Sequence, residues 1–248
     1  MQNDRKIKIV ILAAGKGKRM QSDLPKVLVV IKGRSMISYV LSSVLETSGE
    51  KPIAIVGHKA ELVQSHLGNS CLYVLQKEQL GTGHAVSCAE KNCEKADDII
   101  VLSGDQPFIK AQTIKNLIEK HLKTGAKITF TTAMPQDFLD WRKGFLSFGR
   151  ILRENNRVAG IKEYKDATEK EKDIKEINAG CYIFNAKWLW KNLKKIKSAN
   201  AQNEYYLTDL LHIASKEGEK IETVRIEPQE ALGANTKDEL EILENFSV

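Results

Sequence analysis

The stretch Lys8-Ile9-Val10-Ile11-Leu12-Ala13-Ala14-Gly15-Lys16-Gly17-Lys18-Arg19-Met20 decides the fold. Residues 8–13 are a short apolar run rich in Ile and Val, which reads as a buried strand. The strand runs straight into a turn of small residues carrying three cations, Lys16, Lys18 and Arg19. Gly and Ala let backbone N–H groups come close to an anion, and these cations, with Lys26 further on, add positive charge around it. The turn is neither of the two familiar phosphate loops. GxxxxGK[ST] is absent, and Met20 stands where GxGxxG needs its third glycine. Alone, such a turn fits a tight βα connection as well as a phosphate cradle.

Outward from this stretch, Ile/Val-rich runs alternate with amphipathic segments, the usual sequence form of βαβ units around a parallel sheet. Strands are expected at 52–56, 72–76, 98–103 and 127–133. Met36, Tyr39, Val40, Val44 and Leu45 form a helical stripe that stops at Gly49, a good C-cap position, and helices follow at 58–67, 84–93 and 111–122. After Met134-Pro135 the texture changes. Residues 148–153 and 157–162 flank Asn155-Asn156 and read as a β-hairpin inserted into the α/β order. An exposed charged stretch at 165–175 precedes a strand at 176–184, helices at 186–196 and 205–216, and a strand at 220–226. Thr236-Lys237-Asp238-Glu239 opens a last helix with a capping-box pattern. The fold class is α/β, a Rossmann-like mixed, mostly parallel sheet flanked by helices. No repeat or linker divides the chain, so one domain over 1–248 is expected.

The 248 residues, 42% of them hydrophobic, suffice for a sizeable core. The longest apolar stretches, 9–14 and 27–31, fall far short of the roughly 18 to 20 residues that span a bilayer, so no membrane partner is expected. The charged start Met1-Gln2-Asn3-Asp4-Arg5-Lys6 lacks the pattern of a signal peptide, and the expected compartment is the cytoplasm. Four cysteines without CxxC spacing argue for reduced thiols. The net charge of +6 is spread along the chain with acidic residues interleaved. Its densest basic run, 187–197, carries Leu189, Leu193 and Ile196 at helical spacing, a solvated face over a core stripe, and no nucleic-acid partner is expected. The five histidines are scattered, with no pair at i, i+4 and no G-x-S-x-G elbow nearby, and read as structural or surface groups. Trp188, Trp190 and Tyr205-Tyr206 read as packing aromatics.

Two further clusters stand at strand ends. Leu102-Ser103-Gly104-Asp105 delivers a carboxylate at the C-terminal end of a buried strand, the edge where open α/β sheets bind ligands. One carboxylate beside substrate phosphates is a common way to hold Mg²⁺. Gln76, followed by Gly81-Thr82-Gly83, offers an amide able to pair with a base edge and backbone able to approach a ring.

Together these elements resemble the sugar-phosphate nucleotidylyltransferase family. Its opening motif is matched by Leu12-Ala13-Ala14-Gly15-x-Gly17-x-Arg19-Met20 followed by Leu24-Pro25-Lys26, and Gln76, Gly81-Thr82-Gly83-His84-Ala85 and Gly104-Asp105 occur in the family's order and spacing. Phe148-Gly149-Arg150-Ile151, Glu163, Lys165-Asp166-Ala167-Thr168, Glu176-Ile177-Asn178-Ala179-Gly180 and Asn203-Glu204-Tyr205-Tyr206-Leu207-Thr208-Asp209 look like one subfamily. That subfamily is the uridylyltransferase half of the bifunctional N-acetylglucosamine-1-phosphate uridylyltransferases and glucosamine-1-phosphate acetyltransferases. The resemblance runs from about residue 7 to residue 235.

The resemblance implies the nucleotide-diphospho-sugar transferase fold, with a nucleotide part over about 1–135, a sugar part over about 136–235 that includes the hairpin, and a C-terminal helix over 236–248. It implies that Leu12, Ala13, Ala14 and Gly15, with Lys26, Gln76, Gly81 and Thr82, hold UTP. Arg19, Lys26 and Asp105 would be catalytic, Arg19 and Lys26 meeting the triphosphate and the pyrophosphate it releases. Asp105 and Asn235 would bind the cofactor Mg²⁺. Thr82, Gly149, Glu163 and Asn178 would line the sugar pocket, with Tyr206 and Thr208 close enough to join them. The implied reaction joins UTP and N-acetyl-α-D-glucosamine 1-phosphate to give UDP-N-acetylglucosamine and pyrophosphate, a step toward cell-wall precursors.

Ser103 and Phe148 stand where the subfamily usually has Tyr, which bears on sugar choice. The same chemistry on glucose 1-phosphate with UTP or dTTP, or a non-catalytic nucleotide-sugar-binding module, are the alternative readings. The subfamily's second half, a β-helix of hexapeptide repeats, has no counterpart here, so acetyltransferase activity is not expected. The family's trimer contacts lie mostly in that half, so the resemblance implies no oligomeric state.

Overall fold

The computed structural model describes residues 5–17 and 23–246. The first half contains β1 (Ile7–Ala13), β2 (Val30–Ile31), β3 (Arg34–Ser35), α1 (Met36–Ser48), β4 (Ile53–Val56), α2 (Ala60–Leu67), β5 (Leu72–Leu75), α3 (Thr82–Ser87), β6 (Asp98–Ser103), α4 (Ala111–Thr124) and β7 (Ile128–Ala133). The second half adds β8 (Arg150–Glu154), β9 (Arg157–Lys162), α5 (Glu169–Lys172), β10 (Ile177–Asn185), α6 (Ala186–Leu193), α7 (Asp209–Lys216), β11 (Ile221–Ile226) and α8 (Lys237–Asn245).

Among the described residues, nine strands form one sheet in the order β11-β7-β10-β6-β1-β4-β5, with the β8–β9 hairpin attached to β10. Along the seven-strand path the sheet is parallel except where β10 runs antiparallel to both β6 and β7, and the attached hairpin adds antiparallel β8–β9 and β8–β10 pairings. One edge therefore collects the C-terminal ends of β1, β5, β6 and β7 together with the beginning of β10. Alternation along each strand divides the core. Val10, Ile99, Val101 and Phe184 pack under α6 and α7 on one face, while Ile9, Ile11, Ile100 and Leu102 pack under α1 and α4 on the other. The hairpin turn places Asn155 and Asn156 at φ of 48° and 63°, as the Asn-Asn pair requires.

Three helix readings shift. The helix expected from residue 205 begins at Asp209, because Tyr205 N–H donates to Leu80 O at 2.8 Å and its carbonyl accepts from Gly83 N–H at 2.8 Å. A backbone committed to another segment cannot serve an α-helical ladder. The helix expected over 84–93 is Thr82–Ser87, after which Ala89 N–H bonds to Val86 and the chain tightens into a 3-10 turn at Glu90–Cys93. The helix expected to residue 196 stops at Leu193, where Lys195 and Ile196 likewise bond three residues back.

The opposite end of β6 carries a structural ion cluster. The fully buried Asp98 carboxylate accepts from Arg5 Nε and a terminal guanidinium nitrogen, both at 2.6 Å, and lies 3.3 Å from His121 Nε2. Burial alone would raise its pKa, but the His121 and Arg5 interactions outweigh it and hold Asp98 below its ordinary value. Asp98→Asn is expected to lower stability by about 3 kcal/mol at pH 7. A depressed acid stabilises the fold above the ordinary carboxylate pKa of about 4, and that contribution disappears as pH falls through the lower native value. Denaturant melts should therefore show the two proteins converging below about pH 4. A gap unchanged down to pH 3 would contradict this account of Asp98.

Candidate active site

A cleft of about 270 Å³ opens on the edge where β1, β5 and β6 end. Leu12 lines it from the end of β1, Ala14 and Gly15 from the segment just after β1, Gln76 from the end of β5, Gly81 and Thr82 from the start of α3, and Ser103 and Asp105 from the end of β6. Lys26 enters from a 3-10 turn at Lys26–Leu28. Ala13, 1% exposed, faces the core under α1 instead. Arg19 lies outside the described residues.

Close backbone approach sets Asp105 in place. Gly104 N–H donates to Leu12 O at 2.9 Å, and a Cβ on Gly104 would stand 2.8 Å from that oxygen. Gly233 backs onto the other side, where a Cβ would meet Asp105 O at 2.7 Å. Only glycine admits both approaches, and together they bring Asn235, two residues after Gly233, beside Asp105. Lys26 Nζ then donates to an Asp105 carboxylate oxygen and to Asn235 Oδ1. Asn235 is steadied from α8. Thr236 Oγ1 accepts from Glu239 N–H at 3.2 Å as the capping pattern anticipated, but the Glu239 carboxylate accepts from Asn235 N–H, one residue earlier than in a capping box.

The nucleotide and sugar sets do not share a wall throughout. Gly149, Glu163, Asn178 and Thr208 form a second group near the start of β10. Asn178 N–H donates to Gly149 O at 2.9 Å, Thr208 Oγ1–H donates to Glu163 Oε1 at 2.7 Å, and a Cβ on Gly149 would lie 3.6 Å from both Glu163 carboxylate oxygens. Thr82 joins the two groups, since its Oγ1 accepts from Leu207 N–H at 3.0 Å. Burial raises the Glu163 pKa, and the charges of Asp209, Asp166 and Glu204 add to this, against the Thr208 hydrogen bond. Tyr206 is buried, its phenol pushed up to about 12 chiefly by burial.

Val27, Gln79, Ala85 and Glu204 also line the cleft and carried no role in the sequence reading. Gln79 had a signal in its place between Gln76 and Gly81, where its Nε2 donates to Gln76 O at 3.1 Å. Arg150 was quoted within a motif without a function. It is fully buried and donates to the carbonyls of Phe145 and Leu146 at 3.2 Å and of Lys172 at 3.1 Å, bracing the strand that presents Gly149. Of the two positions lacking the usual Tyr, Ser103 lines the cleft, whereas Phe148 packs edge-on against Phe145 at 5.3 Å.

Residues 9–154, more than half of the chain, match the MobA-like NTP transferase domain. The chain belongs to this family. Among curated relatives, the bifunctional protein GlmU of Streptococcus uberis is 43% identical over 231 residues, 92% of this chain and 49% of the relative. GlmU of Desulfitobacterium hafniense is 41% identical over 239 residues, 96% of this chain and 51% of the relative. The chain thus spans about half the length of the curated relatives it matches. A Bacillus anthracis structure described as a glucose-1-phosphate thymidylyltransferase superposes with TM-score 0.75 at 19% identity, covering 98% of both chains. A UDP-glucose pyrophosphorylase complexed with UDP-glucose gives 0.73 at 17% identity, covering 96% of this chain and 97% of the other. At those identities the likeness establishes the fold, a mixed and mostly parallel sheet flanked by helices, as the family member's sequence led us to expect.

Proposed function

We propose that the chain transfers a uridylyl group from UTP to N-acetyl-α-D-glucosamine 1-phosphate, giving UDP-N-acetylglucosamine and pyrophosphate. The observation that carries this reading is the convergence of Lys26, Asp105 and Asn235 beside the Leu12–Gly15 turn, with Gln76 across the cleft. The sugar phosphate oxygen is the nucleophile and attacks the α-phosphorus of UTP in line with the departing pyrophosphate. The protein's work is then positioning and charge neutralisation, with no covalent enzyme intermediate. Gln76 and the backbone at Gly81 hold the base, and the turn after β1 lies along the phosphates. Lys26 and Arg19 stabilise charge that grows on the leaving group.

The donor set suits Mg²⁺. Asp105 offers a carboxylate oxygen and Asn235 an amide oxygen, both already turned toward one cation, the Lys26 ammonium. Two hard oxygens with the remaining positions left to water and phosphate are what this ion favours. When bound there, it supplies charge neutralisation between the two meeting phosphates. No described helix is long and apolar enough to cross a membrane.

On the sugar side, Glu163 accepts hydrogen bonds from sugar hydroxyl or acetamido groups, with Asn178 and Gly149 beside it. Glu163→Gln is expected to raise the KM for sugar phosphate about tenfold while the UTP KM stays within about threefold. Because the Glu163 pKa is raised, the unmodified protein should lose sugar affinity on acidification at a pH above the ordinary carboxylate range, and the variant should lack that limb. An unchanged sugar KM would remove Glu163 from the pocket.

The direct test is pyrophosphate release with UTP and Mg²⁺, comparing N-acetylglucosamine 1-phosphate, glucosamine 1-phosphate and glucose 1-phosphate. Strong preference for the first is the expected result. Preference for another would overturn the sugar assignment, and no turnover with any would favour a binding module.

A further inference from the structure

The Gln76 side chain is held in a way that its own position does not explain. Gln76 is 3% exposed, and its Nε2 lies 3.2 Å from Gly81 O and 3.1 Å from His84 Nδ1. A carbonyl oxygen only accepts, so the Gln76 atom beside Gly81 is the amide nitrogen. Its two hydrogens are therefore directed to Gly81 O and to His84 Nδ1. That ring nitrogen must accept, which places the imidazole proton on Nε2. His84 also lines a neighbouring groove, with Ser87, Glu90 and Trp190. With both amide hydrogens taken, Gln76 presents its Oε1, an acceptor, to the cleft that it lines.

We propose that His84 is a positioning residue that locks the Gln76 amide with its oxygen toward the nucleobase and so sets the preference for a uracil-type ring over cytosine. The inference deepens the uridylyltransferase reading and rests on it. A uracil or thymine ring carries hydrogen on N3 and donates to Oε1. Cytosine has a bare lone pair at N3, which would oppose Oε1 across the same gap. A reversed amide would invert the preference, but it would set an oxygen against Gly81 O and leave His84 Nδ1 facing no hydrogen. Gly81 O opposes the reversal from one side and His84 from the other. Removing the His84 acceptor leaves one amide hydrogen of a buried group without a partner, and only Gly81 O then opposes the turn.

The test compares unmodified protein, His84→Leu and His84→Asn. Leucine fills the space without an acceptor, while the Asn Oδ1 falls close to the position of a histidine Nδ1. The readouts are the ratio of kcat/KM for UTP over CTP and, needing no turnover, the ratio of UDP to CDP affinity by calorimetry. His84→Leu is expected to lower both ratios about tenfold or more, with the sugar phosphate KM within about threefold. His84→Asn is expected to stay within about threefold of the unmodified protein in both. Unchanged ratios in His84→Leu, or equal losses in both variants, would overturn the proposal, as would equal affinity of the unmodified protein for UDP and CDP. Absence of turnover in the unmodified protein would sink the uridylyltransferase reading instead, leaving the calorimetric ratios to decide the role of His84.

Discussion

Asp105→Ala is expected to reduce pyrophosphate release by about 10³-fold or more at any Mg²⁺ concentration, while shifting the thermal midpoint by only a few degrees. The two halves of that expectation have separate causes. Among the described residues Asp105 is the single carboxylate that converges on Lys26, and an amide oxygen alone binds a divalent cation poorly. Its side chain is about one-quarter exposed and does not support the core, so the fold loses one partly solvated ion pair. The Gly104 and Gly233 contacts that set the local backbone do not involve the carboxylate. Paired turnover and melting measurements distinguish this from collapse. An Asp105→Ala protein that retains turnover would end the metal assignment.

Lys26→Met should lower kcat/KM by about 10²-fold, as expected for a lost charge-assisted phosphate contact, yet strengthen rather than weaken the apparent affinity for Mg²⁺. The opposite signs follow from the ligand-free geometry, in which the ammonium occupies the two oxygens that the ion needs. Methionine keeps the length and apolar stem while vacating that position. A titration of turnover against Mg²⁺ reads both quantities at once. A kcat/KM change below about threefold at saturating Mg²⁺ would remove Lys26 from the reaction. A weaker Mg²⁺ response would instead mean that the lysine helps to build the ion site and does not compete for it.

How much of this could be read without coordinates depended on the distance over which each signal acts. Residues 8–13, the buried strand before Asp105 and the Asn155-Asn156 hairpin all carry local patterns, and each stands where expected. The helix start expected at 205 differs because what decides it is remote, the Leu80 and Gly83 backbone taking the hydrogen-bonding groups of Tyr205. The capping pattern at Thr236 was legible, but not that Glu239 reaches past it to Asn235. His84 read only as a structural or surface group, with no role attached, because its partner, Gln76, sits in a different element. Motif spacing named Asp105 and Asn235 together through family resemblance. No local pattern says that one lysine side chain bridges them.

The strand that breaks the parallel order has a bearing on how this protein comes to exist. The two strands that flank β10 in the sheet, β6 and β7, precede it in the chain, and in the finished sheet it lies between them. As the polypeptide leaves the ribosome, those two strands must wait with a side of each unpaired until residues 177–185 have emerged. The segment that matches the family domain, residues 9–154, would meet the same fate if excised, its sheet left with two raw interior borders. The part of the chain before β10 is thus not a module that evolution or an engineer can lift out alone, because the strand near whose start Asn178 lies is also the keystone of the sheet beneath Asp105.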